Sequence, residues 1–328
     1  MSQRAPVKIT LIGLDRVSGS VGLALRERKD LRLIGFDRDN DTARLAQQRG
    51  LVAEAKWNLI EAVDGADLVL LGGPLTDQRE WLKAFATELR EQAVVASLGP
   101  LLAPPLAWAR ELLPPDRYFV AAHPLLNPAL LYDGGVGIEG ARADLFANGL
   151  WALAAAPECA PEALKLLSDL ATLLGAQPYF MDAVEHDGLM GAVDALPALA
   201  ALALLRAANA SPGWHEMRKA ADRGFATATF ALTNLDSSTL TLNREAVLRY
   251  LDALLAELHN LRDLLATDDV LTLNQLIAEA AAQRAQWAGE RARGEWEKQE
   301  QPALNVPTFG ESLSRMFVGG LFRREKKA

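Results

Sequence analysis

The first half of the chain alternates short apolar runs with amphipathic stretches, a rhythm that predicts parallel strands joined by crossover helices. Val7-Lys8-Ile9-Thr10-Leu11-Ile12 reads as a buried strand because it is short, apolar and β-branched. Gly13 follows at once. Ser18-Gly19-Ser20 then opens an amphipathic helix carrying Val21, Leu23, Ala24 and Leu25, and a second strand over 31–36 ends at Asp37. The same reading predicts a helix over 41–49, a short run at 51–53, and strands over 67–71, 93–97, 118–122, 151–155 and 178–181. Helices over 77–90, 104–113 and 161–174 separate them, and a loop carries Gly134, Gly135, Gly137 and Gly140. From about residue 183 no strand pattern remains. Helical patterns continue to 293, with breaks at Ser211-Pro212-Gly213 and Asp236-Ser237-Ser238.

Strand, glycine turn, helix, strand and acidic residue is a layout that cradles a dinucleotide. The turn and helix N-terminus take the pyrophosphate, and the carboxylate takes a ribose hydroxyl. This predicts an N-terminal Rossmann domain, an α/β doubly wound parallel sheet, over 1–182. An all-α domain over 183–293 and a polar linker with a basic tail over 294–328 complete the chain. The fingerprint G-x-G-x-x-G is broken, since Gly13-Leu14-Asp15-Arg16-Val17-Ser18 keeps only the first glycine. Asp15 is expected to set a carboxylate where the phosphates lie. A like charge at about 4 Å costs up to roughly 4 kcal/mol, a factor on the order of a thousand in affinity. Arg16 turned inward would offset it, and Gly19 and Ser20 still offer N–H groups at a helix N-terminus. Two outcomes stay open: an NAD or NADP site on Gly13, Arg16, Gly19, Ser20, Asp37 and Pro74, or a Rossmann domain kept for its fold alone. Asp37 reads equally as a ribose ligand or as a solvated strand-end carboxylate.

Composition narrows the classes of partner. With 328 residues, half of them apolar, the chain is long enough for two cores. A formal charge of −8 argues against nucleic acid. Cys159 is the single cysteine, which excludes a disulfide framework and leads us to expect a cytoplasmic protein. No secretory leader is read at the start, and no uninterrupted apolar stretch reaches spanning length. The Ala/Leu run over 195–205 reads as a buried helix. No histidines and carboxylates stand at metal-ligand spacing, and no G-x-S-x-G elbow follows a strand. The tail differs from the rest. Phe309, Leu313, Met316, Phe317 and Leu321 recur at helical spacing, and from Gly310 onward five basic residues face two acidic ones, a net +3. Such a segment is expected to lie on an anionic membrane surface, dock on another protein, dock on the chain itself or stay unstructured.

Several motifs occur together in a particular order. They are Gly19-Ser20 after the glycine turn, Asp67 through Pro74, His123-Pro124 after a strand, Leu145-Phe146 before the strand at Trp151, Glu185-His186-Asp187 and Leu196-Pro197. With these, residues from about 7 to 290 resemble the prephenate dehydrogenases of the 6-phosphogluconate-dehydrogenase-like superfamily. The resemblance implies an N-terminal Rossmann domain, a C-terminal helical substrate and dimerisation domain, and a homodimer. It also implies oxidative decarboxylation of prephenate with NAD or NADP. His123 matches the family histidine that takes a proton from the ring hydroxyl as hydride leaves the same carbon. Asn243 with Arg244 matches a family asparagine segment and supplies the substrate-binding candidates.

Other positions depart from the pattern. The family serine that orients the histidine, and the lysine after it, correspond to Pro100 and Leu102, and Pro100 offers neither hydroxyl nor N–H. The family motif Ser-His-Leu-Pro-His reads Asp194-Ala195-Leu196-Pro197-Ala198, and the substrate-binding arginine falls at or near Phe230. Arg218, Arg223 or Arg244 would have to substitute for it. His186 with Asp187 reads as a pair that caps or orients the first helix of the second domain. Two readings follow: a dehydrogenase with impaired or altered catalysis, or a non-catalytic dimeric scaffold that binds or regulates.

Overall fold

A computed structural model describes residues 6–294; the predicted amphipathic tail lies outside them. The chain forms two compact units that divide between His186 and Asp187.

The first unit opens with β1 (Val7–Ile12), α1 (Arg16–Leu25), β2 (Leu31–Phe36), α2 (Asn40–Gln48), β3 (Glu54–Ala55) and α3 (Leu59–Val63). Then come β4 (Leu68–Leu71), α4 (Leu75–Phe85), β5 (Val94–Leu98), α5 (Ala103–Leu112) and β6 (Tyr118–Leu125). After a loop come β7 (Leu150–Ala155), α6 (Pro161–Leu173) and β8 (Gln177–Phe180). The eight strands form one sheet in the order β3-β2-β1-β4-β5-β6-β7-β8. Strands β1 to β6 are parallel, whereas β7 pairs antiparallel with β6, and β8 runs parallel to β7. The sheet is thus the doubly wound, mostly parallel one expected, with a single antiparallel pair, β6 with β7.

Both faces of the sheet are covered, which is why β4 and β5 are buried at every position. One face packs Ile9, Leu11, Leu68, Leu70 and Ala96 under α1, α2 and α6; the other packs Val69, Leu71 and Val95 under Trp81, Leu82 and Phe85 of α4 and Ala109 of α5.

Three local differences from the sequence reading have physical causes. Helix α1 starts at Arg16 rather than near Ser18, because Asp15 and Ser18 form a capping box. Residues 51–53 are not a strand; Leu51 and Val52 pack into the core, and only Glu54–Ala55 pairs with β2. β6 runs through His123 and Pro124 to Leu125, because β7 pairs beside it as far as Leu125↔Leu150. Pairing with β5 ends at Leu98↔Ala122, so the missing N–H of Pro124 falls where β6 has a neighbour on one side only.

The helix α7 (Ala183–Met190) begins in the first unit and leads into the second. The second unit continues with a π-helical turn (Gly191–Ala195), α8 (Leu196–Asn209), α9 (Trp214–Ala220) and α10 (Arg223–Thr229). It is completed by α11 (Ser237–Leu242), α12 (Arg244–Ala266) and α13 (Val270–Arg293). Pro197 lies in the first turn of α8, and the π turn before it absorbs the backbone bond that proline cannot donate. At Gly191 the π turn presses on Ala246 of α12, where an added Cβ would come within 2.9 Å of the alanine methyl.

The expectation of a buried Ala/Leu helix is corrected. Residues Ala183–Asn209 run as 27 helical residues, long and apolar enough by length and composition to cross a membrane, with 28% of the most apolar window buried. Leu202 and Leu204 are exposed.

Candidate active site

The carboxyl ends of β1 and β4 meet where the strand order reverses, the place at which such sheets bind ligands. Gly13 has φ +74°, and a Cβ there would lie 2.6 Å from the Gly72 carbonyl oxygen; one on Gly72 would lie 2.5 Å from the Gly13 oxygen. The two glycines let these loops touch. A Cβ on Gly72 would also lie 3.0 Å from Ser18 Cβ, so the space that a third fingerprint glycine would leave is supplied from the opposite loop. Ser18 Oγ donates to the Gly13 carbonyl at 2.7 Å. Pro74, two residues on, caps α4 without a side-chain hydrogen bond.

Asp15 occupies the N-terminus of α1. Its carboxylate accepts from the Ser18 N–H at 2.8 Å and from the Gly73 N–H at 3.0 Å. Arg16 forms an ion pair with Asp133 at 3.4 Å, in poor alignment: its Nε and one terminal nitrogen are buried without a hydrogen bond. Gly19 and Ser20 serve packing. The Gly19 N–H donates to the Asp15 carbonyl, and a Cβ on Gly19 would come within 2.6 Å of Ile138. Ser20 Oγ donates to the Arg16 carbonyl at 2.6 Å and accepts the Arg142 N–H at 2.9 Å. Asp37, at the end of β2, accepts from Leu14 N–H at 2.7 Å and from Asp39 N–H at 2.8 Å. Burial pushes its carboxyl upward against the pull of those two donors.

The residues present fit a dinucleotide, with one reservation built into the chain. Orphaned Arg16 donors stand at the first turn of α1, where the N–H groups of Arg16 and Val17 have no intrahelical acceptor. Beside them the Asp15 carboxylate is already anchored, so a pyrophosphate would meet a fixed negative charge.

His123 lies on β6 just beyond the end of β5, opposite Ala152 of β7. Alternation puts it on the face of Phe119 and Ala121, the face covered by α4 and α5. Its Nδ1 lies 3.1 Å from Nε2 of His186, with the rings perpendicular and their centroids 5.2 Å apart. His186 is 1% exposed, whereas His123 is half-buried. Burial first, and then the neighbouring imidazole, push the His123 pKa down to about 3. At neutral pH the ring is uncharged.

The role expected of His186 is corrected. The cap of α7 is Asp182, which accepts from the N–H groups of Val184 and Glu185 at 2.9 and 3.0 Å. His186 instead faces His123. Its signal in the sequence was slight: a second histidine next to an acidic residue, in a chain with four histidines.

Where the resemblance places a serine and a lysine, Pro100 is half-buried and Leu102 is fully buried in the core. Ser97, at the end of β5, donates to Gln78 Oε1 at 2.6 Å, and Gln78 Nε2 donates to the Gly73 carbonyl at 3.0 Å. This buried chain of bonds fixes the loop after β4, and sequence reasoning did not single it out. In the second unit Ala195 and Ala198 are buried and Phe230 is exposed. Asn243 Nδ2 donates to the Asp187 carbonyl at 2.6 Å, and Arg244 is exposed at the first turn of α12.

A mostly parallel sheet with a glycine turn at its switch point and a helical unit after it defines a dinucleotide-binding-type α/β protein. Residues 21–180 match the family described as prephenate dehydrogenase, nucleotide-binding domain. A prephenate dehydrogenase of Lactococcus lactis subsp. cremoris is 26% identical over 201 residues, covering 60% of this chain. That match takes in 53% of the relative, so the chain spans about half the length of the curated protein it matches. Among solved structures, an Aquifex aeolicus prephenate dehydrogenase in complex with hydroxyphenyl propionate and NAD+ superposes with TM-score 0.74 at 21% identity. That alignment covers 87% of this chain and 99% of the other. A Synechocystis arogenate dehydrogenase gives 0.67 at 24% identity, covering 86% and 100%. The fold is that of these enzymes, and residues 21–180 carry the likeness to the nucleotide-binding domain of the prephenate dehydrogenase family.

Proposed function

We propose that this chain is a dinucleotide-dependent dehydrogenase of the prephenate type whose substrate carries less negative charge than prephenate. The observation that supports this reading best is His123: a neutral, half-buried imidazole at the carboxyl edge of the sheet, its Nδ1 partnered. In this role His123 takes the proton of a substrate hydroxyl at Nε2, and the O–H bond breaks as the carbon is oxidised. The bound nicotinamide supplies the hydride acceptor. Gly13, Arg16, Gly19, Ser20, Asp37 and Pro74 form or support the cradle for NAD or NADP, Arg16 through its orphaned donors and Asp37 at the ribose. Asn243 and Arg244 are the substrate-side candidates, Arg244 offering an exposed cation. The apolar residues Pro100, Leu102, Ala195, Ala198 and Phe230, standing where the family resemblance places polar or charged groups, argue against a dianionic substrate.

The protein acts as a homodimer in this reading. On α12, Leu248, Leu255, Leu258 and Leu265 are exposed at heptad spacing, a seam that a second copy covers. A single cysteine suits a reducing cytoplasm.

Calorimetric titration with NAD and NADP, followed by turnover assays over cyclohexadienyl and aromatic hydroxy acids, tests the proposal. Cofactor binding together with turnover that falls about a hundredfold or more in His123→Asn is expected. A second reading, a non-catalytic scaffold, is favoured by the carboxylate anchored in the anion cradle. Absence of binding at millimolar cofactor would establish that reading.

A further inference from the structure

Among the described residues His123 has one side-chain hydrogen-bond partner, His186. Two ring nitrogens 3.1 Å apart share one proton, and which ring owns it decides what the other end of His123 can do. If His186 donates, His123 must carry its proton on Nε2 and cannot act as a base there. If His123 donates from Nδ1, its Nε2 presents a lone pair.

We propose that His186 is a positioning residue: its Nε2 accepts the Nδ1–H of His123, fixing the tautomer in which His123 Nε2 is free to take a substrate proton. The inference rests on the reading of His123 as the base. In family members a serine is implied to orient this histidine, and here that position is Pro100, which has no donor and no hydroxyl. His186 reaches the same ring from α7. Its backbone N–H is tied to the Asp182 carbonyl at 2.9 Å, the Asp182 carboxylate caps the same turn, and its side chain is sealed from solvent. The ring is therefore held by the helix start and the core together.

The arrangement has a consequence for the reaction. When the substrate O–H breaks and the Nε2–H bond forms, His123 becomes an imidazolium beside the His186 ring. The existing Nδ1–H···Nε2 bond then becomes charge-assisted, and the extra proton is shared across the pair. A neutral imidazole does here what a carboxylate does in a hydrolase triad, with less stabilisation.

The chain has four histidines, which makes the test direct. Long-range proton–nitrogen NMR on the full chain labelled with 15N-histidine reports the tautomer of each ring. In the unsubstituted protein at neutral pH, His123 is expected to be protonated on Nδ1 and bare on Nε2. In His186→Phe, His123 should move to the Nε2–H form, and turnover should fall at least tenfold in kcat with little change in KM. His186→Gln, whose amide oxygen accepts, should restore the Nδ1–H form and most of kcat. A His123 protonated on Nε2 in the unsubstituted chain, or an unchanged tautomer in His186→Phe, overturns the proposal. If His186→Phe does not fold, the unsubstituted spectrum and His186→Gln decide. The expected tautomers together with turnover indifferent to His123→Asn would overturn the base reading instead.

Discussion

His123 owes its neutral state to burial, and that has a measurable cost in acid. An ordinary histidine titrates near 6.5, while this one is held down to about 3. Between those values the unfolded chain binds a proton that the folded chain refuses, so stability falls as pH drops from about 6.5 toward 3. Urea melts at pH 7 and pH 4.5 should show a loss that is smaller in His123→Asn by on the order of 1–2 kcal/mol. An equal loss in both chains would mean that His123 titrates normally. Asp15 invites the opposite kind of experiment. Glycine at an N-cap costs only a few tenths of a kcal/mol, so Asp15→Gly should keep the fold while removing the charge at the cradle. Calorimetry is expected to show NAD affinity raised by roughly tenfold or more. Affinity unchanged or weakened would mean that the carboxylate lies clear of the phosphates. The cap itself was not anticipated, because the sequence shows a charge in a glycine position but not the two backbone donors that hold it.

At the scale of elements, short buried strands and amphipathic helices were visible because their periodicities are local properties. Their ends were less so. The extension of β6 through His123 and Pro124 depends on β7, whose pairing partner no local signal names. The start of α1 depends on Asp15, and the π turn on the meeting of Pro197 with the close approach of α12 at Gly191. The contact of the two glycine loops makes a sharp prediction. Gly72→Ala would set a methyl 2.5 Å from the Gly13 carbonyl oxygen, and backbone rather than a flexible side chain must yield. Overpacking of this kind costs about 1–3 kcal/mol, which thermal or urea unfolding should report. A substitution that leaves stability unchanged would show that the two loops have room to part.

At the scale of the whole molecule, the helical unit carries an exposed apolar seam. Among the described residues, leucines at heptad spacing on α12 and Val270 and Ile277 on α13 leave apolar surface exposed. Sedimentation is expected to find a dimer, and Leu255→Glu with Leu258→Glu should shift it to monomer. A monomer in both cases would remove the homodimer from the proposal. The composition of the long apolar helix alone suggested burial in the chain's own core, and the fold leaves most of it uncovered.

The sequence alone showed the two-part organisation and the Rossmann order of strands and helices, and it singled out His123 as a candidate base. The first two follow from local periodicity, and the third from the resemblance to the prephenate dehydrogenases. Only the tertiary structure decided the partner of that histidine, the capture of Asp15 by the Ser18 and Gly73 N–H groups, and the room that Gly72 makes for Ser18. These depend on contacts between segments distant in sequence, and hydrogen-bond geometry and close approach come into being only when those segments are packed.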